Sequence, residues 1–179
     1  MSIGTGDHFF YPNPLQSSGG YGRSAWFGCA CCPSNLCRFL ASVPGYVYAH
    51  KDNRVYVNLF VSGQADIALN ETNTVRLTQT TAMPWAGDVR LTVNSSGDGA
   101  FQMAIRIPGW TQNQPVPGDL YSYVGGSVSD IEIKVNGSPV AYTTEQGYAV
   151  IDRHYRLPSR TGSHLAGLYL RLSRRQFPC

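Results

Sequence analysis

From Tyr46 onward the chain alternates apolar and polar residues at period two. The runs "YVYAH", "RVYVNLFV", "ADIALN", "TVRLTQT", "DVRLTVN" and "FQMAIRI" follow one another, separated by turn-forming groups such as Asp52-Asn53, Ser62-Gly63 and Pro84-Trp85-Ala86-Gly87. Successive side chains of a strand point to opposite faces, so each run can bury one face and leave the other wet, whereas a helix would scatter the same residues around its axis. Strands at short, regular spacing with such turns predict an antiparallel β-sandwich. After a polar, Pro- and Gly-containing loop from Thr111 to about Ser129, the pattern resumes with "DIEIKV", an Asn136-Gly137 turn signal and "GYAVIDR". A last apolar run, "LAGLYLRL", fits either a strand or a helix.

The N-terminal region reads differently. Residues 1–28 are rich in Gly, Ser and Pro with no sustained period, which predicts an ordered loop or the end of an element not included here. Pro33 then suits the first position of a short helix whose apolar residues Leu36, Phe39, Leu40 and Val43 recur at helical spacing, and Pro44-Gly45 is expected to end it. The chain therefore divides into residues 1–45, a first β region over 46–110 and a second over 111–179. With 42% hydrophobic and 14% charged residues, a solvated disordered chain is excluded, and 179 residues can bury a core without disulfide staples. The net charge of +3 is mild, and Arg76, Arg90 and Arg106 are spread along strands instead of forming a stripe, so no nucleic-acid partner is expected. No apolar run reaches the ~20 residues of a membrane span, and "MSIGTGDHFFYPNPL" lacks the basic start and apolar core of a secretory signal. No membrane partner is expected, and the compartment stays open.

Four of the five cysteines, Cys29, Cys31, Cys32 and Cys37, crowd into "CACCPSNLC", with Cys179 at the other end. Four explanations compete. Burial as a small apolar residue suits Cys37 best. A disulfide between neighbours would close a strained ring. Zinc is suggested by the Cys29-x2-Cys32 spacing, yet no second pair exists and His8, His50, His154 and His164 are isolated. Finally, with Pro33 as the first helical residue, Cys32 would sit at the N-cap and Cys31 just before it, where the positive end of the helix favours a charged, reactive sulfur. Trp85 and Trp110 stand in Pro-Trp and Gly-Trp turn contexts and are expected to pack into the core, the alternative being exposed platforms for sugars.

The ordered set "WFGCACCPSNLCRFLAS", "GYVYAHKDNRVYVNLFVSGQADI", "PWAGDVRLTV", "AIRIPGW", "KVNG" and "GYAVIDR" resembles glycoside hydrolase family 127, the β-L-arabinofuranosidase-type enzymes, from about Phe9 to Arg153. The resemblance implies a mainly β fold: a sandwich preceded by a loop and one short helix left from an (α/α)6 catalytic barrel. It also implies that Cys31 is the nucleophile of a retaining, zinc-dependent hydrolysis of terminal β-L-arabinofuranosides. Cys31 and Cys32 would both ligate zinc, and Tyr11 in "FFYPNPL" would line the sugar pocket. In the family, the remaining zinc ligands, a glutamate and another cysteine, and the acid/base glutamate come from the barrel upstream. Glu71, Glu132 and Glu145 match none of those positions. The chain is thus expected to be a partial homologue, inactive or nearly so alone, whose partners are arabinofuranoside carbohydrate and a separate or missing barrel. A non-catalytic sandwich module that packs against a partner or binds carbohydrate, and a zinc or redox protein, are the competing expectations. The tail after Arg156 departs from the family pattern, without the expected Gly-Asp turn or a recognisable further alternating strand.

Overall fold

The structure, a computed structural model, describes residues 2–3, 8–10, 19–20, 22–26, 28–96, 100–123, 131–151 and 166–172. The chain divides into two units, Met1–Gly45 and Tyr46–Cys179. In the first, strands β1 (Ser2–Ile3) and β2 (Phe9–Phe10) pair antiparallel, and helix α1 spans Cys31–Ser42. The helix starts two residues earlier than the proline suggested. Ala30 is the N-cap, Cys31 and Cys32 are the first two helical residues, and Pro33 is the third. Proline is tolerated there because the first four N–H groups of a helix have no intrahelical acceptor, so its missing donor costs nothing. At the other end Val43 caps α1, its N–H donating to the carbonyls of Phe39 and Leu40. Pro44 then opens a second short helix, α2 (Pro44–Val47), instead of ending helical structure.

The second unit is mainly β, as expected. Its strands are β3 (Tyr48–Lys51), β4 (Arg54–Val57), β5 (Gly63–Ala68), β6 (Thr74–Thr81), β7 (Asp88–Ser95), β8 (Gln102–Arg106), β9 (Ile131–Val135), β10 (Ser138–Pro139), β11 (Thr143–Glu145), β12 (Tyr148–Ile151) and β13 (Ala166–Leu172). They form a six-stranded sheet in the order β10-β9-β13-β7-β6-β5 and a five-stranded sheet in the order β11-β12-β8-β4-β3. Each sheet combines strands from before and after residue 110, the two sets lying side by side. Every pair is antiparallel except β4 with β8. That exception follows from the path of the chain: after β4 it builds β5, β6 and β7 in the opposite sheet, and this long excursion is the crossover a parallel neighbour requires.

One apolar core joins the two sheets, with Val55, Val57, Leu77, Leu91, Met103, Ile105, Ile133 and Ile151 among its buried members. The alternation in the sequence becomes alternation of burial. In β6, Val75, Leu77 and Gln79 point inward between exposed Arg76, Thr78 and Thr80. In β7, Val89, Leu91, Val93 and Ser95 do the same.

Two expectations are corrected here. The tail does supply an alternating strand: β13 lies between β7 and β9, with Leu168, Leu170 and Leu172 buried. Trp85 is not a core residue but is 92% exposed, because the turn joining β6 to β7 directs it outward. Trp110, by contrast, packs against the core while partly buried. The one-turn 3-10 helix Gly109–Gln112 carries it, and there the Thr111 hydroxyl donates to the Pro108 carbonyl.

Candidate active site

The cysteine segment is built around the N-terminus of α1. Ala30 has no side-chain acceptor to offer the first-turn N–H groups, and that turn contains no acidic residue. The thiols of Cys31 and Cys32 are therefore the ionisable groups the first turn itself carries, at the end where the helix dipole favours negative charge. Their sulfurs lie 3.9 Å apart and both residues are exposed. The backbone beneath them is tied down. The Ser34 hydroxyl donates to the carbonyls of Ala30 (3.1 Å) and Cys31 (3.0 Å), and the Asn35 amide donates to Cys31 O at 2.9 Å. Sequence reasoning passed over this Ser-Asn pair. Its signal was two short polar side chains three and four residues after Cys31, the spacing at which such groups reach back to a carbonyl in a helix.

Cys29 and Cys37 are also exposed thiols, so Cys37 is not the packed apolar residue that was expected. Among the described residues no group of three or more His, Cys, Asp or Glu is placed to hold a metal. Tyr11, expected to line a sugar pocket, lies outside the described residues, as do Cys179, His154 and His164. Within the second unit, Glu145 pairs with Arg54 at 2.8 Å and Glu132 with Lys134 at 2.7 Å, while Glu71 is exposed in the turn between β5 and β6. Leu36, Phe39 and Leu40 keep their helical spacing but stand exposed, Phe39 and Leu40 each by 59%. Among the described residues of α1, only Pro33 is buried.

A dithiol at a helix start, followed along the chain by a two-sheet sandwich, defines the class: a cysteine-bearing segment that precedes a β domain. Residues 54–166 match the family described as beta-L-arabinofuranosidase, GH127 middle domain, and residues 2–45 match the GH127 catalytic domain. The chain belongs to the GH127 β-L-arabinofuranosidase family. It is 33% identical over 134 residues to a non-reducing end β-L-arabinofuranosidase of Bifidobacterium longum subsp. longum, an alignment covering 72% of this chain and 17% of that protein. A solved GH127 β-arabinofuranosidase is 42% identical with a TM-score of 0.79, and 94% of this chain covers 25% of it. The GH127 β-L-arabinofuranosidase Ara127N of Geobacillus stearothermophilus T6 is 30% identical with a TM-score of 0.69, again over 94% of this chain and 25% of that one. The chain thus spans about a sixth to a quarter of the length of these relatives.

Proposed function

We propose that this chain carries the nucleophile and two metal-binding sulfurs of a retaining β-L-arabinofuranosidase, and that protein material beyond these residues completes the site. The observation that supports it most is the 3.9 Å separation of the Cys31 and Cys32 sulfurs at the start of α1, within the segment that matches the GH127 catalytic domain. Two thiolates bound to one tetrahedral zinc at ~2.3 Å would lie ~3.8 Å apart. The pair fits two corners of such a site, and a zinc ion held there would keep both sulfurs as thiolates at neutral pH.

In the reaction itself, the Cys31 sulfur attacks the anomeric carbon of the terminal arabinofuranose. The glycosidic C–O bond breaks, and the departing oxygen takes a proton from a general acid, leaving the sugar as a thioglycoside on Cys31. The same group, now a base, deprotonates a water that attacks the anomeric carbon and breaks the C–S bond. Ser34 and Asn35 hold the Cys31 backbone for that attack. The acid/base carboxyl and the remaining zinc ligands come from outside these residues, so the isolated chain is expected to hydrolyse little or nothing.

The test uses a full-length chimera in which this chain replaces the aligned quarter of the 42% identical solved relative. The chimera should release product from an aryl β-L-arabinofuranoside and lose that ability on Cys31→Ala, while the purified chain alone releases none. Activity of the isolated chain that disappears on Cys31→Ala would refute the claim of incompleteness. An active chimera indifferent to Cys31 would refute the assignment of the nucleophile.

A further inference from the structure

We infer that the second unit carries a glycan-binding site of its own, a recess at the starts of β4 and β8 in which Tyr56 is the platform for a sugar ring and Arg54 the donor to its hydroxyls. The ligand class is a neutral oligo- or polysaccharide, and the inference stands independently of the role proposed for Cys31. β4 and β8 are the parallel pair, so both strands begin at the same end of the five-stranded sheet, and their register sets Arg54 beside Gln102. Alternation along β4 turns Val55 and Val57 into the core, which leaves Arg54 and Tyr56 on the outer face. Together with the turn between β3 and β4, they bound a recess of about 540 Å³ whose lining includes Lys51, Asp52, Arg54, Tyr56 and Gln102. That volume falls within the range of small-molecule sites.

The side chains of the recess are held in place before any ligand arrives. Arg54 donates from Nε to Gln102 Oε1 and from Nη1 to Glu145 Oε2, both at 2.8 Å, to partners 48 and 91 residues away in the sequence. The Tyr56 hydroxyl interacts with the same guanidinium. Tyr56 is braced in turn by Tyr148, whose ring meets it at 83° with centroids 5.3 Å apart and whose hydroxyl donates to Asn58 Oδ1 at 2.9 Å. The Gln102 N–H donates to Asn53 O at 2.9 Å and so ties the start of β8 to the turn. The Arg54 and Glu145 side chains are 26% and 50% exposed, and ion pairs so open to water contribute little to stability. What the pair does is fix the guanidinium, and a group already fixed gives up little entropy when a ligand docks.

Charge and donor chemistry select the ligand. Among the described residues, Lys51 and Arg54 are matched by Asp52 and Glu145, so the recess offers no surplus charge to an anion or a metal cation. A guanidinium has five N–H donors, and the contacts with Gln102, Glu145 and Tyr56 leave others to a ligand among those residues. The Glu145 carboxylate likewise has acceptor capacity beyond the bond that its Oε2 takes. An aromatic ring beside converging donors and acceptors of no net charge matches a sugar, whose C–H face packs on the ring while neighbouring hydroxyls accept and donate. Trp85, the more exposed aromatic at 92%, stands elsewhere, in the turn between β6 and β7, and serves as the comparison.

The experiment is affinity electrophoresis of the purified chain, and of the chimera described above, in gels containing soluble arabinan, soluble arabinoxylan or polygalacturonate, with circular dichroism checking that each variant is folded. At least one of the two neutral polysaccharides should retard the protein. Tyr56→Ala and Arg54→Gln should each weaken that binding about tenfold, while Tyr56→Phe keeps most of it and Trp85→Ala leaves it unchanged. Arg54→Gln, a change on the outer face of the sheet, carries the test should Tyr56→Ala fail to fold. Retardation of neither protein by either neutral polysaccharide would overturn the proposal. So would retardation that Trp85→Ala abolishes and that Tyr56→Ala and Arg54→Gln leave intact. Retardation by polygalacturonate alone, reversed by inorganic phosphate, would overturn it in favour of an anion site. A chimera that is catalytically dead yet retarded through Tyr56 would leave the recess standing and reject the function proposed for Cys31.

Discussion

Leu170→Ala is the substitution that most directly tests whether β13 is an integral strand. Leu170 is 1% exposed, opposite Val89 of β7 and Ile133 of β9, and so belongs to the centre of the six-stranded sheet. Truncation to alanine removes three carbons, worth about 2.4 kcal/mol of transfer free energy at ~0.8 kcal/mol each. Close-packed neighbours relax only partly into the space, and the residual cavity raises the cost to roughly 3–5 kcal/mol. In a domain of this size each kcal/mol lowers the midpoint by about 3 °C, so thermal unfolding followed by circular dichroism should shift down by about 10 °C. Arg171 is the matched control, because it occupies the next position on the same strand and points outward, in an exposed, 3.8 Å ion pair with Asp88. Arg171→Ala should cost less than about 0.5 kcal/mol. If the two substitutions have the same effect, or if both are silent, the inward register of Leu168, Leu170 and Leu172 is wrong and the tail is not part of the core.

Gly87→Ala probes the junction between that strand and the turn before β7. A Cβ at Gly87 would fall 1.8 Å from the Leu172 carbonyl oxygen, and the Leu172 N–H donates to Gly87 O at 2.9 Å. The substitution should destabilise by roughly 1–3 kcal/mol and speed hydrogen exchange at the Leu172 amide, whereas Gly63→Ala, which meets nothing within 4 Å, should not. The Arg76 guanidinium donates to both Asp66 oxygens, at 2.6 and 2.9 Å, and holds that carboxyl below the ordinary aspartate range. A depressed folded value means that the pair's contribution is intact above the unfolded aspartate value and lost as pH falls through the folded one. An NMR titration should therefore place the Asp66 midpoint below that of an unstructured aspartate, and Arg76→Gln should raise it; a midpoint unmoved by that substitution would sever the two.

The strands were legible because burial on one face leaves a period-two trace in the sequence, and "TVRLTQT" and "DVRLTVN" became β6 and β7 with that alternation intact. Alternation tells which face is buried and is silent on which strand lies alongside. Nothing in "RVYV" or "QMAIR" therefore announced that β4 and β8 would pair in parallel. The same signal, "LYLRL", was present in the tail but short, and the missing Gly-Asp turn obscured it. Trp85 was misjudged because a turn context fixes the backbone and leaves open which side of it faces water.

The cysteine segment divides along a similar line. Crowded thiols before a proline located the helix start to within two residues, since proline fits any position of the first turn. They could not indicate that Cys31 and Cys32 would lie within the helix, with Ser34 and Asn35 bonded back to Cys31 O. The hydrolysis proposed above also calls for a carboxyl to exchange a proton with the leaving group, and the family resemblance maps that role onto none of the glutamates of this chain. Glu145, Glu132 and Glu71 belong to the sandwich, where Arg54 and Lys134 engage the first two. In the proposed reaction, a sulfur nucleophile without that proton donor would expel the alkoxide slowly, because general acid help is worth roughly 10²–10⁴ in rate. In packing terms, the apolar stripe of α1 and Trp85 are apolar surface that the fold leaves exposed.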